Sequence, residues 1–227
     1  MSNPPDQLVS ALRPEARSLA ESGIFRAMNY GRDRPGLIPL WAGEGDMPTP
    51  DFICEAAYAS MLAGETFYTS QRGIPELRQA LAAYHARAFG VEVPAERFFV
   101  TGSGMQAVQL ALQAVAGPGD EIVVPVPAWP NYAAAAHISG ARAVEVPCDF
   151  TSDGWTLDLD RLKVACGPDT RALFINSPAN PTGWTASRDE LAEILAFARE
   201  KGLWIVADEV YGRFYYEGAR AELPRCR

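Results

Sequence analysis

The fold of this chain is decided by the segment NSPANPTG, residues 176–183. The apolar run that precedes it, residues 172–175, indicates a buried strand. Two prolines and a final glycine then predict an abrupt, irregular turn at the end of that strand. Asn180 is the residue of this turn whose side-chain amide can point into the space above the sheet.

A second strand ends in polar residues farther along the chain. The apolar run at residues 204–207 is followed by DEVY, residues 208–211. Open α/β sheets bind ligands in the crevice at the carboxyl ends of their strands. The carboxylate of Asp208 and the phenol of Tyr211 are therefore candidate binding groups, although an acid at a strand end can also simply cap a neighbouring helix.

The pairing of NPTG with DEVY resembles the class I/II aminotransferases of the fold type I pyridoxal-phosphate enzymes, from about residue 23 to about residue 216. The resemblance implies an α/β fold, a three-layer α/β/α domain with a mainly parallel sheet. That family has seven strands in the order 3-2-4-5-6-7-1. The chain supplies strands 1 to 5 at residues 97–101, 121–126, 141–147, 172–175 and 204–207. With strands 6 and 7 missing, strand 1 is expected to lie apart from strand 5.

The resemblance also implies a cofactor, pyridoxal 5'-phosphate, and a set of residues that bind it. Asp208 would pair with the pyridine nitrogen, Tyr211 and Asn180 with the ring oxygen, and Trp129 would stack on the ring. The backbone of Ser103, Gly104 and Met105 would bind the phosphate, and the peptide bond between Asn180 and Pro181 is expected to be cis. The alternative for Trp129 is a buried tryptophan of the core.

Substrate and partner contacts follow from the same resemblance. Gly43, together with Trp129 and Asn180, would contact the substrate. Tyr68, which stands before the segment GIPE at residues 73–76, would reach the cofactor phosphate of the partner chain in a homodimer. As an alternative, Tyr68 packs at a helix junction in its own chain.

The segment GSGMQA, residues 102–107, has the form G-x-G-x-x-A, which also occurs in dinucleotide-binding folds. Both interpretations place a phosphate at a helix N-terminus. A dinucleotide site needs an acid at the end of the next strand, about 20 residues on. That strand ends in Pro127, Ala128 and Trp129 without an acid, so a monophosphate is preferred.

Composition excludes several other classes. The net charge is −8 and the chain has no basic run, so nucleic acid and anionic membranes are not expected partners. Four cysteines without paired spacing and only two histidines predict no metal site. The polar N-terminus and the lack of a run of about 18 apolar residues indicate a cytoplasmic protein.

Lysine is scarce, and this limits the chemistry. The family needs a Schiff-base lysine beyond the DEVY segment, but the chain contains only Lys163 and Lys201, and neither stands in a matching motif. No catalytic residue is therefore assigned. We expect a truncated form that is not active alone, with an N-terminal arm and loop at residues 1–50 and a partial cofactor-binding domain at residues 51–227.

By family, the expected function is amino transfer between an amino acid and a 2-oxo acid. A carbon–sulfur lyase of the same fold and a non-catalytic fragment remain alternatives.

Among the helices, Pro75 predicts the first turn of a helix over residues 76–88. Ser187 and Glu190 form a capping box for a helix over residues 188–201, which Gly202 ends.

Overall fold

The computed structural model describes residues 8–41, 43 and 45–216, which form two compact units. One unit contains residues 8–19 and 101–216, and the other contains residues 20–100. In chain order the helices are α1 (Pro14–Arg17), α2 (Gly23–Gly31), α3 (Asp51–Leu62), α4 (Pro75–Phe89), a 3₁₀ turn (Ala95–Arg97), α5 (Gly104–Val115), α6 (Asn131–Ile138), α7 (Leu159–Val164) and α8 (Arg188–Lys201). The strands are β1 (Glu121–Val126), β2 (Arg142–Pro147), β3 (Asp149–Thr151), β4 (Gly154–Thr156), β5 (Thr170–Asn176) and β6 (Trp204–Asp208).

A four-stranded sheet in the order β2-β1-β5-β6 forms the centre of the larger unit. All of its neighbouring strands are parallel. This order reproduces the predicted arrangement 3-2-4-5 of the family. Parallel strands need crossover helices, which cover the sheet on both faces.

Alternate residues of the strands point to opposite faces and build two separate cores. One core packs Val123, Leu173 and Ile175 under helices α7 and α8. The other packs Val124 and Phe174 under helices α5 and α6. The three-layer α/β/α arrangement is therefore confirmed.

The strand predicted at residues 97–101 is not formed, and that prediction is wrong. Residues 95–97 form the 3₁₀ turn, and Phe98 is extended without a sheet partner. The N–H of Val100 donates to the carbonyl of Arg72 at 3.0 Å, so this segment pairs locally inside the unit of residues 20–100. Within the described residues, β6 is one of the two edge strands of the sheet, the other being β2, and no strand 1 lies beside it.

The ends of the helices follow the predicted local signals. Pro75 opens α4, and Ser187 with Glu190 forms the capping box of α8 in both directions. Gly202 ends α8 in the left-handed conformation, at a φ of 69°. A short antiparallel hairpin, β3–β4, follows β2 and forms a separate two-stranded sheet. No helix in the described ranges is long and apolar enough to cross a lipid bilayer.

Candidate active site

The candidate site begins where β5 and β6 end side by side. Asn176, the last residue of β5, is paired in register with Asp208, the last residue of β6. The Nδ2 of Asn176 donates to the backbone carbonyl of Asp208 at 3.0 Å. The N–H of Ser177 donates to the same carbonyl at 3.2 Å. The two polar segments that were singled out in the sequence therefore meet at one edge of the sheet.

The turn after β5 is held by hydrogen bonds of its own. The N–H of Ala179 donates to the carbonyl of Trp184 at 2.9 Å, and that of Gly183 donates to Ala179 at 2.8 Å. Gly183 has a φ of 71°, which favours glycine. The bond between Asn180 and Pro181 is cis, as predicted, and Ser177–Pro178 is also cis. Asn180 lies partly buried beside the strand ends.

Both carboxylate oxygens of Asp208 have hydrogen-bond donors. The hydroxyl of Tyr132 donates to Oδ2 at 2.9 Å, and the N–H of Val210 donates to Oδ1 at 3.1 Å. The second bond stabilises the turn that follows β6, whereas the alternative raised from the sequence was that Asp208 caps a neighbouring helix. Because the two donors come from different segments, they hold the carboxylate in one orientation.

Tyr132 is a site residue that sequence reasoning missed. Its side chain is only 2% exposed, and burial, followed by the nearby charge of Asp208, raises its pKa above the usual 10. The hydroxyl therefore stays protonated and donates. The signal available in the sequence was its position three residues after Trp129, where it falls in the first turn of α6.

The ring of Tyr132 lies among the other aromatic residues of the site. It meets Trp129 edge-on, with centroids 5.4 Å apart, and lies on Phe174 at 4.1 Å. Trp129 is partly buried and packs against the core, so its predicted stacking role and the core interpretation are compatible. A narrow crevice beside the rings of Tyr132 and Phe174 reaches Asn180 and Trp184, with room for about one water molecule.

The predicted phosphate turn forms the start of α5. Ser103 is the N-cap, and its Oγ accepts the N–H of Gln106 at 3.1 Å. The side-chain oxygen of Gln106 accepts the N–H of Gly102 at 2.8 Å. Open space surrounds the position that a Cβ on Gly104 would take, and Met105 packs on the core that contains Tyr132. The first N–H groups of a helix have no partner inside it, so this turn presents donors.

Tyr211 follows β6 by one turn and is partly buried, with its ring edge-on to Phe214 at 6.0 Å. Its phenol lies near enough to contribute to the raised pKa of Tyr132. Glu209 lies between Asp208 and Tyr211 in the sequence. Its pKa is raised to about 7 by burial and by the charge of Asp208. The DEVY segment therefore places two ionisable groups, Asp208 and Tyr211, near enough to Tyr132 to act on its pKa.

The two lysines lie away from these groups. Lys163 stands in α7 and forms ion pairs with Glu193 and Asp160. Lys201 ends α8, which leads into the amino end of β6, and pairs with Glu200 at 3.0 Å. Because the site is at the carboxyl ends of the strands, neither amine lies beside it.

Gly43 and Tyr68 belong to the unit of residues 20–100. Both are exposed, and Tyr68 is fully so, which excludes the packing alternative among the described residues. Their assigned contacts with substrate and with a partner's cofactor stay predictions.

The family model for aminotransferase class I and II matches residues 36–226. The aspartate aminotransferase of Streptomyces avermitilis is 38% identical over 206 residues, which cover 90% of this chain and 50% of that protein. The aspartate/prephenate aminotransferase of Thermus thermophilus is 37% identical over 210 residues, covering 92% and 54%. A probable aspartate aminotransferase of Streptomyces griseus is 37% identical over 197 residues, covering 86% and 91%. The chain thus spans about half the length of the first two relatives.

Solved structures match the same region. The aspartate aminotransferase of Thermus thermophilus with maleate superposes with a TM-score of 0.87 at 35% identity, covering 94% of this chain and 56% of that one. The N-succinyldiaminopimelate aminotransferase of Mycobacterium tuberculosis gives 0.86 at 34% identity, covering 93% and 55%. The fold is that of part of a fold type I enzyme. The chain belongs to the class I and II aminotransferases, a family of pyridoxal-phosphate-dependent enzymes.

Proposed function

We propose that this chain is the cofactor-binding part of an aminotransferase that moves an amino group between an amino acid and a 2-oxo acid. The observation that supports this most is the carboxylate of Asp208, held at the end of β6 by Tyr132 and Val210. A carboxylate beside a pyridine nitrogen favours the protonated form of that ring. The names of the relatives suggest aspartate as the first amino donor to assay.

The residues at the strand ends suit pyridoxal 5'-phosphate. Asp208 would accept a hydrogen bond from the pyridine nitrogen, and the side chains of Asn180 and Tyr211 would donate to the ring oxygen. Trp129 offers a flat aromatic surface for the ring, since offset aromatic contacts are favourable. When bound, the cofactor supplies an electron sink for the carbon that loses its proton.

The start of α5 suits the phosphate. Backbone N–H groups at a helix N-terminus, together with the helix dipole, favour an anion. The serine cap at Ser103 and the open space at Gly104 leave this end of the helix accessible. In a homodimer, Tyr68 of the partner subunit would add a donor to the same phosphate.

Equilibrium dialysis against pyridoxal phosphate tests this assignment. The variant D208N should weaken binding by about tenfold, because it removes a charge-assisted hydrogen bond. The variant D153N, which makes the same charge change at an exposed hairpin turn, should stay within about twofold. Pyridoxal without its phosphate should bind more weakly than the phosphorylated form. Equal losses in D208N and D153N, or no binding by the natural chain, would contradict the proposal.

Turnover is a separate measurement. With pyridoxal phosphate, aspartate and a 2-oxo acid, we expect no amino transfer by this chain alone, because neither Lys163 nor Lys201 lies at the site. Turnover that depends on either lysine would show that this inference is wrong.

A further inference from the structure

Asn176 makes hydrogen bonds in two directions from one buried amide. The residue as a whole is only 8% exposed. Its Oδ1 accepts the backbone N–H of Asn180 at 2.7 Å, and its Nδ2 donates to the carbonyl of Asp208 at 3.0 Å. An N–H can only donate and a carbonyl can only accept, so the orientation of the amide follows from its partners.

The two partners stand on different segments. Asn180 belongs to the turn after β5, and Asp208 ends β6. The backbone ladder fixes Asn176 opposite Asp208, and the N–H of Ser177 strengthens that link by donating to the same carbonyl. The turn has internal bonds through Ala179 and Gly183, but these bonds join the turn to itself and to Trp184. The link from the backbone of Asn180 back to the strand ends runs through the side chain of Asn176.

We propose that Asn176 is a positioning residue that fixes Asn180 relative to Asp208, and so sets the spacing of two groups that face the cofactor. The cofactor part of this statement rests on the proposed function, whereas the link between the two segments does not. Asparagine suits the position because one side chain carries both an acceptor and a donor. Leucine has nearly the same shape and carries neither.

The test compares two variants of the same strand. N176L removes both hydrogen bonds at the carboxyl end of β5. T170V is the matched control at the amino end, where Thr170 is 3% exposed and its Oγ1 accepts the N–H of Gly167 at 2.9 Å. Both variants replace a buried polar group by an apolar group of similar shape, so both lower stability, but only N176L touches the site.

The first readout is amide hydrogen exchange in the 227-residue chain, which needs no cofactor. In the natural chain the amide of Asn180 should be protected, as should that of Ala179. In N176L, exchange at Asn180 should become about tenfold faster relative to Ala179, the loss expected for one hydrogen bond. T170V should leave this ratio unchanged.

The second readout is the affinity for pyridoxal phosphate by equilibrium dialysis. N176L should bind about tenfold more weakly, and T170V within about twofold of the natural chain. If both variants lost affinity for pyridoxal phosphate equally, Asn176 would contribute only to stability, and the positioning role would be refuted.

The natural chain alone can also refute the proposal if N176L does not fold. Exchange of the Asn180 amide at the rate of an unprotected amide, with Ala179 still protected, would show that the link does not exist. Failure of the natural chain to bind the cofactor would instead refute the proposed function, and the exchange ratio would still decide the link.

Discussion

Replacing Tyr132 by phenylalanine removes one hydroxyl and leaves the rest of the site in place. The ring keeps its contact with Phe174, whose centroid is 4.1 Å away, and its edge contact with Trp129. The lost interaction is the 2.9 Å hydrogen bond to the carboxylate of Asp208. Hydrogen bonds to charged groups contribute about 1.5–3 kcal/mol, so Y132F should lower the free energy of unfolding by about 2 kcal/mol.

Urea denaturation measures this change. An unchanged slope of the free energy of unfolding against urea concentration would show that the folded state stays compact. The control is Y211F, because the Tyr211 hydroxyl forms no hydrogen bond with a described residue; its effect should stay within about 0.5 kcal/mol. A double-mutant cycle of Y132F with D208A isolates the pair and should give a coupling of about 1.5–3 kcal/mol. A coupling near zero would refute the reasoning.

The pH dependence gives a second check on the same hydroxyl. Because the folded pKa of Tyr132 is raised, the folded state keeps its proton while the unfolded tyrosine ionises near pH 10. The stabilisation is therefore fully present below about pH 10 and is lost as the pH rises beyond it. The difference in stability between the natural chain and Y132F should be constant from about pH 6 to 9 and shrink above about pH 10.

Three further predictions concern other groups. The pKa of Glu209 is raised to about 7 in the folded state. Between about pH 4.5 and 7 the folded chain therefore binds more protons than the unfolded chain. The free energy of unfolding of the natural chain should fall by up to about 3 kcal/mol as the pH rises through that range. E209Q should remove this loss and be the more stable protein at pH 8; identical denaturation curves for both would contradict the assignment. S187A breaks the capping box of α8 and should cost about 1 kcal/mol in urea denaturation, whereas an unchanged midpoint would argue against the cap. K163A and K201A should change the dissociation constant for pyridoxal phosphate by no more than about twofold, since both lysines form exposed ion pairs away from the strand ends. A tenfold loss of affinity in either variant would place an amine at the site.

Local patterns explain why most of the sheet could be predicted. The runs at residues 121–126, 172–175 and 204–207 are apolar on both faces, as buried parallel strands are. The caps at Ser187 and Gly202 are contained in a few adjacent residues, so their signals do not depend on the remainder of the fold. The order of the strands was not readable from such patterns and came from the family resemblance.

Residues 97–101 show where a local pattern is insufficient. Phe98 is extended, as the apolar pattern predicts, yet no strand forms. A strand requires a neighbour for its backbone hydrogen bonds, and Val100 finds Arg72 instead of the sheet. Backbone conformation was encoded locally, whereas membership of the sheet depended on which segments lay beside it.

The sequence by itself determined which polar residues stand at the ends of strands, because a buried run followed by a turn of proline, glycine and asparagine has few other structures. The sequence therefore identified Asn180 and Asp208 as candidate binding residues. Only the tertiary structure decided what holds them, since Tyr132 and Asn176 reach Asp208 across 76 and 32 residues of sequence. A hydrogen bond between distant segments depends on sheet register and helix packing, and the spacing of residues along one chain does not contain either.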